Sequence, residues 1–366
     1  MVQAAAKAIS ADSHICEPAD CYTRFIDARF KADAPYVIRD PQRGDMFVVR
    51  DRPPLAMAFI SNAGRDPRDH GVRFLTYPEF HQGGWIPAAR LEDQDRDGVA
   101  AEMLYPSLGM SISHHPDRDY RHACLWAYNR WLQEFCAYAP DRLHGIGAVA
   151  LRSVSEGIEE FRRLKEMGMK GVMMPVNPEL EGDYHDPMWD PLWRAAVELG
   201  LPISFHALTG RNDYAARGPE LNWWNFAMRS VQDLIGTFIF GGVFQRHPQL
   251  KFIAAECDAG WIPHFMYRMD HVFERHRYSK KAVSLERPPS EYFRDNVYVS
   301  FQDDWSVFKV VDLVNHERLL WANDYPHGDA TWPNSQKLLA EQAAGLAPAV
   351  KERILRANVQ EVYRLN

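Results

Sequence analysis

Short apolar runs alternate with longer stretches whose apolar residues recur at helical spacing, and the rhythm repeats along most of the chain. Residues 8–14 form the first predicted strand. The rhythm then breaks and resumes near residue 91, with a polar helix over 91–98 and a strand over 101–106. A long helix is expected over 119–138, a strand over 145–150 and a helix over 153–167 capped by Ser153. Strands over 171–175 and 202–207 flank a helix over 187–199. A long loop, 209–222, leads into a helix that reaches residue 244. Strands over 250–256, 296–300 and 319–323 follow, with helices over 262–275 and 305–315 between them and two more at the end.

Strands that alternate with helices across short connections pair in parallel. Eight such units predict a closed (β/α)8 TIM barrel. The competing architecture is an open doubly wound sheet. The barrel is preferred because no glycine-rich phosphate loop follows the first strand, and because polar residues end many strands instead of clustering at one switch point. Residues 36–90 interrupt the pattern. Two short runs, 36–39 and 46–50, flank the turn-forming 40–45 and predict a hairpin; Pro, Gly and charged residues then run to Arg90. This stretch has too few apolar residues for its own core. It is expected to be an insertion over the C-terminal barrel face, within a single domain spanning 1–366.

Composition narrows the function classes. The chain has 366 residues, 46% hydrophobic and 25% charged, enough for a large core. Its net charge is 42 − 49 = −7, with no long basic run, which argues against nucleic acid as a partner. Five cysteines without a C-x-x-C suggest a reducing compartment. The first ten residues are Ala-rich but lack the apolar core of a secretory signal, and the apolar stretch near 234–244 is too short and glycine-broken to span a bilayer. A cytoplasmic protein without a membrane partner is expected.

Candidate chemistry sits where strands end. Asp12 and His14 close the first strand, His206 the fifth, Glu256 the sixth and Asp324 the eighth. Asp12 and His14 are two apart, so both face the same side of a strand. Pro326 keeps Tyr325 out of helical conformation, so the chain leaves the eighth strand as a turn with Asp324 at its tip. Taken singly, each residue has an ordinary structural account: a buried histidine bonded to backbone, an aspartate in a turn, a paired glutamate, a helix cap. Together they place charges at one end of one barrel. Such a cluster needs neutralising, which a divalent cation does most simply. Two imidazoles with two or three carboxylates suit Zn²⁺, and also Mn²⁺.

Asp12-Ser13-His14 with Glu17-Pro18, His206, the run Arg246-His247-Pro248-Gln249-Leu250-Lys251-Phe252, Asn323-Asp324-Tyr325-Pro326-His327 and the closing 354–358 resemble the amidohydrolase-2 family, in its aminocarboxymuconate-semialdehyde decarboxylase-like branch. The resemblance covers nearly everything outside 36–90. It implies a barrel of the metal-dependent hydrolase type with one divalent ion, Zn²⁺ first and Mn²⁺ second. It makes Asp12, His14, His206 and Asp324 the ligands, and Asp324, Glu256 and His206 the catalytic set. Family decarboxylases carry a histidine where this chain has Glu256.

The function so implied is non-oxidative decarboxylation of a small aromatic or unsaturated carboxylic acid. Two alternatives stand beside it: a metal-dependent hydrolase of an amide, ester, lactone or C–C ketone, which Glu256 favours, and a non-catalytic barrel that binds a partner. Substrate-side candidates are His327, the Trp223-Trp224 pair in the fifth loop as a lid, for which packing under that loop is an equal account, and Arg268, with Arg229, as carboxylate clamps, for which a surface or salt-bridge role is the default. Glu17 could support the site or start a helix. His114 and His115 suit an exposed loop, and His247 a structural place at the far end. A homodimer or homotetramer is implied by the resemblance.

Overall fold

In the computed structural model, which describes residues 7–69, 75–178, 180–210, 218–279 and 284–365, eight strands lie side by side in chain order. We number them β1 (Ala8–His14), β2 (Val99–Tyr105), β3 (Leu143–Ala148), β4 (Gly171–Met174), β5 (Ile203–His206), β6 (Phe252–Ala255), β7 (Val297–Phe301) and β8 (Leu319–Trp321). All their pairings are parallel. Nearly every residue in them is buried, as expected when both faces of a parallel sheet are covered.

The seam between β8 and β1 is closed just past β8. The Asn323 N–H donates to Ser10 Oγ (2.9 Å), the Asp324 N–H to the Asp12 carbonyl (3.1 Å) and the His14 N–H to the Tyr325 carbonyl (2.7 Å). The expected (β/α)8 barrel is therefore the fold, and its closing bonds run through the residues singled out for chemistry.

Helices follow the strands where the sequence predicts them, over Pro87–Asp97, Arg118–Ala137, Val154–Glu166, Asp190–Leu199 and Ile262–His276. Ser153 caps its helix, accepting the Glu156 N–H at 3.1 Å. Gly145 and Gly147 let two helices press on β3: a Cβ at either would fall within 3.0 Å of Leu132 or Leu164.

Two elements differ from expectation. Residues 305–315 form no α-helix but separate 3₁₀ turns, Val307–Lys309 and Val311–Leu313. Val307, Val310, Val311 and Val314 are β-branched and resist helix. The helix expected to run to residue 244 ends at Phe240; Gly242, with φ 72°, starts a separate turn over Val243–Arg246. Residues 211–217, within the expected 209–222 loop, lie outside the described residues.

Between β1 and the helix Pro87–Asp97, the strands Tyr36–Asp40, Gly44–Val48 and Leu55–Ala56 make a small antiparallel sheet. Its Phe47, together with Val49, Met57, Ile60, Leu75 and Phe80, packs into the main core. The Cys16 N–H donates to the Gly84 carbonyl (2.8 Å), and the Ala63 N–H to that of Pro326 (3.0 Å). The segment thus grips the chain just beyond β1 and β8. Among the described residues, no helix is long and apolar enough to cross a membrane.

Candidate active site

His14 is the last residue of β1 and fully buried. Its Nδ1 lies 2.8 Å from the Pro106 carbonyl, which can only accept. Nδ1 therefore carries the hydrogen, and Nε2 is left with a lone pair. His206, at the tip of β5, repeats the arrangement with the Ala207 carbonyl at 2.8 Å. The two Nε2 atoms face each other at 3.3 Å.

Carboxylates complete the ring. Asp12 Oδ1 lies 3.5 Å from both Nε2 atoms. Asp324 Oδ1 is 3.3 Å from that of His14, and Glu256 Oε2 is 3.3 Å from that of His206. Glu256 and Asp324 sit one and three residues beyond their strands, each with φ 54°. A left-handed residue with a side chain costs about 1–2 kcal/mol, so both tips hold strain where the carboxylates meet the histidines. Ser300, on β7, donates to Asp12 Oδ2 (3.2 Å) and accepts the Glu256 N–H (2.9 Å).

The donor set fits a divalent cation. Oδ1 of Asp12 and both carboxylate oxygens of Asp324 are buried without a hydrogen bond of ordinary geometry. Among Asp12, His14 and His206 the donor atoms lie 3.3–3.5 Å apart, near the ~3.4 Å edge of a tetrahedron with bonds of about 2.1 Å; Asp324 gathers instead with His14, Glu256 and His327.

Protonation follows the same geometry. Burial lowers His206, but the Asp12 and Glu256 carboxylates outweigh it and push the imidazole up to about 10. His14 moves the other way, held well below its ordinary value by burial and by His327 and His206. Burial, then Asp324 and Asp12, push Glu256 up to about 8. Burial and Asp12 raise Asp324 well above the usual carboxylate range. Without a metal, the proton on His206 is thus the positive charge that the cluster draws in.

His327 belongs to the same cluster. Its ring stacks on His14 with centroids 3.9 Å apart, Nδ1 is 3.4 Å from Asp324 Oδ1, and Nε2 is 2.8 Å from Ser107 Oγ. Burial lowers it to about 4.

The other sequence candidates fall elsewhere. Trp223 and Trp224 meet edge to face (4.3 Å) in the short helix Glu220–Asn225, with Trp224 exposed. Arg268 is exposed on the helix Ile262–His276, and no hydrogen bond or ion pair among the described residues joins it to the cluster. The Arg229 guanidinium lies over the Phe226 ring. Glu17 is buried and accepts the N–H groups of Ser107, Leu108 and Gly109. His114 and His115 bond to the Thr209 and Arg50 carbonyls. His247 pairs with Asp190 at 2.9 Å.

Two contributors gave no sequence signal, Ser300 and Arg90. Arg90 is fully buried against Glu102 (2.5 Å), and donates to the carbonyls of His14 (2.7 Å), Gly83 (3.3 Å) and Tyr325 (3.3 Å). One guanidinium thus joins the tips of β1 and β8 to the end of the inserted segment.

Known proteins resemble this chain along most of its length. The amidohydrolase family profile matches residues 52–365. Gamma-resorcylate decarboxylase of Rhodococcus jostii is 25% identical over 304 residues, covering 77% of this chain and 88% of that protein. The 2-amino-3-carboxymuconate-6-semialdehyde decarboxylase of Dictyostelium discoideum is 26% identical over 297 residues, covering 79% and 80%. Among solved structures, an amidohydrolase of Mycobacterium avium subsp. paratuberculosis matches with a TM-score of 0.82 at 21% identity, covering 99% of this chain and 100% of that one. The 5-carboxyvanillate decarboxylase of Novosphingobium aromaticivorans, complexed with manganese and 4-hydroxy-3-methoxy-5-nitrobenzoic acid, matches at 0.67 with 18% identity, covering 99% and 97%.

Proposed function

The chain belongs to the amidohydrolase family, and from that premise we propose that it is a mononuclear metal-dependent carboxy-lyase. Its substrate is a small aromatic or unsaturated carboxylic acid that loses CO₂ without an oxidant. Decarboxylases among the curated relatives support the reaction type. Asp12, His14, His206 and Asp324 would hold the ion. When bound, it supplies Lewis-acid polarisation of the substrate's oxygens. Zn²⁺ suits two imidazoles with carboxylates, and Mn²⁺, the ion of the Novosphingobium enzyme, is the alternative.

The remaining work is proton transfer at carbon. Glu256 keeps 18% of its side-chain surface exposed, against 1% for Asp324, so Glu256 is the carboxyl able to meet a substrate. In the bare cluster it is raised to about 8, and its acid form would serve as general acid. It delivers its proton to the carbon that bears the carboxylate. The C–C bond then breaks, its electron pair returns to the ring or double bond, and CO₂ leaves. Asp324 is the second candidate for the same transfer. His327, neutral and fixed by Ser107, orients the substrate beside His14.

The observation that carries this reading is the set of buried Asp12 and Asp324 oxygens left without hydrogen bonds beside two inward-facing Nε2 atoms. The test is CO₂ release from a panel of hydroxylated aromatic and unsaturated acids by protein reconstituted with Zn²⁺ or Mn²⁺. Amide, ester and lactone substrates run in parallel. Turnover only in the hydrolytic panel would replace the lyase by the hydrolase, and turnover in neither would leave a binding protein. We further read 36–90 as an insertion within one domain, and the protein as a cytoplasmic homodimer or homotetramer, which light scattering tests.

A further inference from the structure

A cavity of about 370 Å³ opens at the other end of the barrel, among the segments that lead into β5, β6, β7 and β8. Lys251, Arg318 and Arg364 line it, with apolar walls from Val197, Leu201 and Tyr298. Lys251 and Glu256 bracket β6, about 16 Å apart at ~3.3 Å per residue, so the cavity is separate from the histidine cluster.

Two carboxylates also line it, but both are engaged from outside. Asp295 accepts Arg287 Nη1 at 2.8 Å, and Glu361 accepts Arg353 Nη2 at 2.9 Å; neither arginine reaches the cavity. Arg318 is fixed by the Asp295 carbonyl (3.0 Å) and lies over the Tyr298 ring. Neither the Lys251 ammonium nor the exposed Arg364 guanidinium has a side-chain hydrogen-bond or ion-pair partner among the described residues. Gly200, with φ 64°, gives the Arg364 guanidinium room that any side chain there would fill. Lys251 titrates below an ordinary lysine, through burial and then through Arg364, with Glu361 opposing them only in part. The cavity also absorbs part of the Arg246–Phe252 run, since Pro248 to Lys251 form one wall.

We propose that this cavity binds a small oxyanion, a phosphate or a di- or tricarboxylate, gripped by Lys251, Arg318 and Arg364. The test is calorimetric titration of the metal-loaded full chain with inorganic phosphate, pyrophosphate and citrate at fixed ionic strength, repeated on Lys251→Ala/Arg364→Ala. The expected result is one oxyanion per chain outside the metal centre, bound at least about tenfold more weakly in the double variant. Turnover and metal content should stay unchanged. The preferred probe identifies the class, phosphate or carboxylate. If the double variant fails to fold, Lys251→Ala alone gives the same reading. Equal affinity in variant and wild type, no binding by the wild type, or binding that only competes with substrate at the metal would overturn the proposal.

Discussion

The Nε2 atoms of His14 and His206 face each other at 3.3 Å, and the Nδ1 atom of each is held by a main-chain carbonyl. These rings come from β1 and β5, 192 residues apart in sequence. Two lone pairs aimed at one point repel unless something positive lies between them. In the bare cluster that is the proton on His206; a divalent ion serves the purpose better, because it also satisfies the buried oxygens of Asp12 and Asp324.

His206→Ala removes one of the facing imidazoles, together with its ring contact to Tyr105. We expect metal affinity to fall at least about a hundredfold, since even supporting groups around a ligand cost 10–100-fold. The circular dichroism spectrum should be unchanged. Full metal occupancy of the purified variant, by inductively coupled plasma mass spectrometry, would remove His206 from the ligand set.

Metal binding must also displace protons. His206, a proposed ligand, titrates near 10 in the bare cluster, so metal affinity should rise by about one log unit per pH unit below that value. His206 and Glu256 both sit above their unfolded values. Stability from His206 is therefore complete below about 6.5 and lost as pH rises through 10; that from Glu256 is complete below about 4.5 and lost through 8. The metal-free protein should melt at progressively lower temperature as pH rises across this range, and the loaded protein should not. Calorimetry in buffers of different ionisation enthalpy counts the released protons. A count of zero would contradict the assignment.

Ser300→Ala tests how the acidic side of the cluster is held. Ser300 bonds at once to the Asp12 carboxylate and to the Glu256 main chain, so its loss frees a proposed ligand and the proposed acid together. Metal affinity or turnover should drop by about 10–100-fold, at a stability cost of only about 1 kcal/mol. A denaturation curve beside steady-state kinetics separates the two effects.

The clustering of the candidate residues was legible in the sequence because they end apolar runs: Asp12 and His14, His206, Glu256 and Asp324 are polar groups placed where strands finish. The eight-strand rhythm supplied the fold for the same reason, and the hairpin over 36–48 showed in its turn residues. Ser300 and Arg90 were not legible. Each works through contacts to main chain or carboxylates that become neighbours only when the barrel closes, and neither breaks a pattern. The 305–315 segment misled because its apolar spacing suits a helix, while four valines disfavour one.

Arg90 makes a separate demand on stability. It pairs with buried Glu102 and donates to carbonyls at the tips of β1 and β8. Arg90→Met would leave Glu102 as an uncompensated buried charge, and breaking such a pair costs about 3–5 kcal/mol. We expect a large fall in chemical-denaturation midpoint, with metal loss following from displaced strand tips. Adding Glu102→Gln to that variant should restore part of the stability, because the orphaned charge is then gone. No recovery in the double variant would mean that the carbonyl contacts, not the ion pair, account for the cost.

Glu256 decides between the two chemistries the site can support. As a protonated acid it gives a proton to carbon; as a carboxylate it takes one from water. Glu256→Gln keeps the shape and the neutral charge but cannot release a proton, so decarboxylation should fall by about 10²–10⁴-fold with metal content retained. Activity of the wild-type lyase should decline with rising pH, as the acid ionises. A hydrolase using the same residue as base would show the reverse limb, rising with pH. The pH–rate profile and the Glu256→Gln variant together separate the two: a declining limb lost in the variant supports the lyase, and a rising limb lost in the variant supports the hydrolase. A profile and rate unaffected by the substitution would take Glu256 out of the chemistry and return the proton transfer to Asp324.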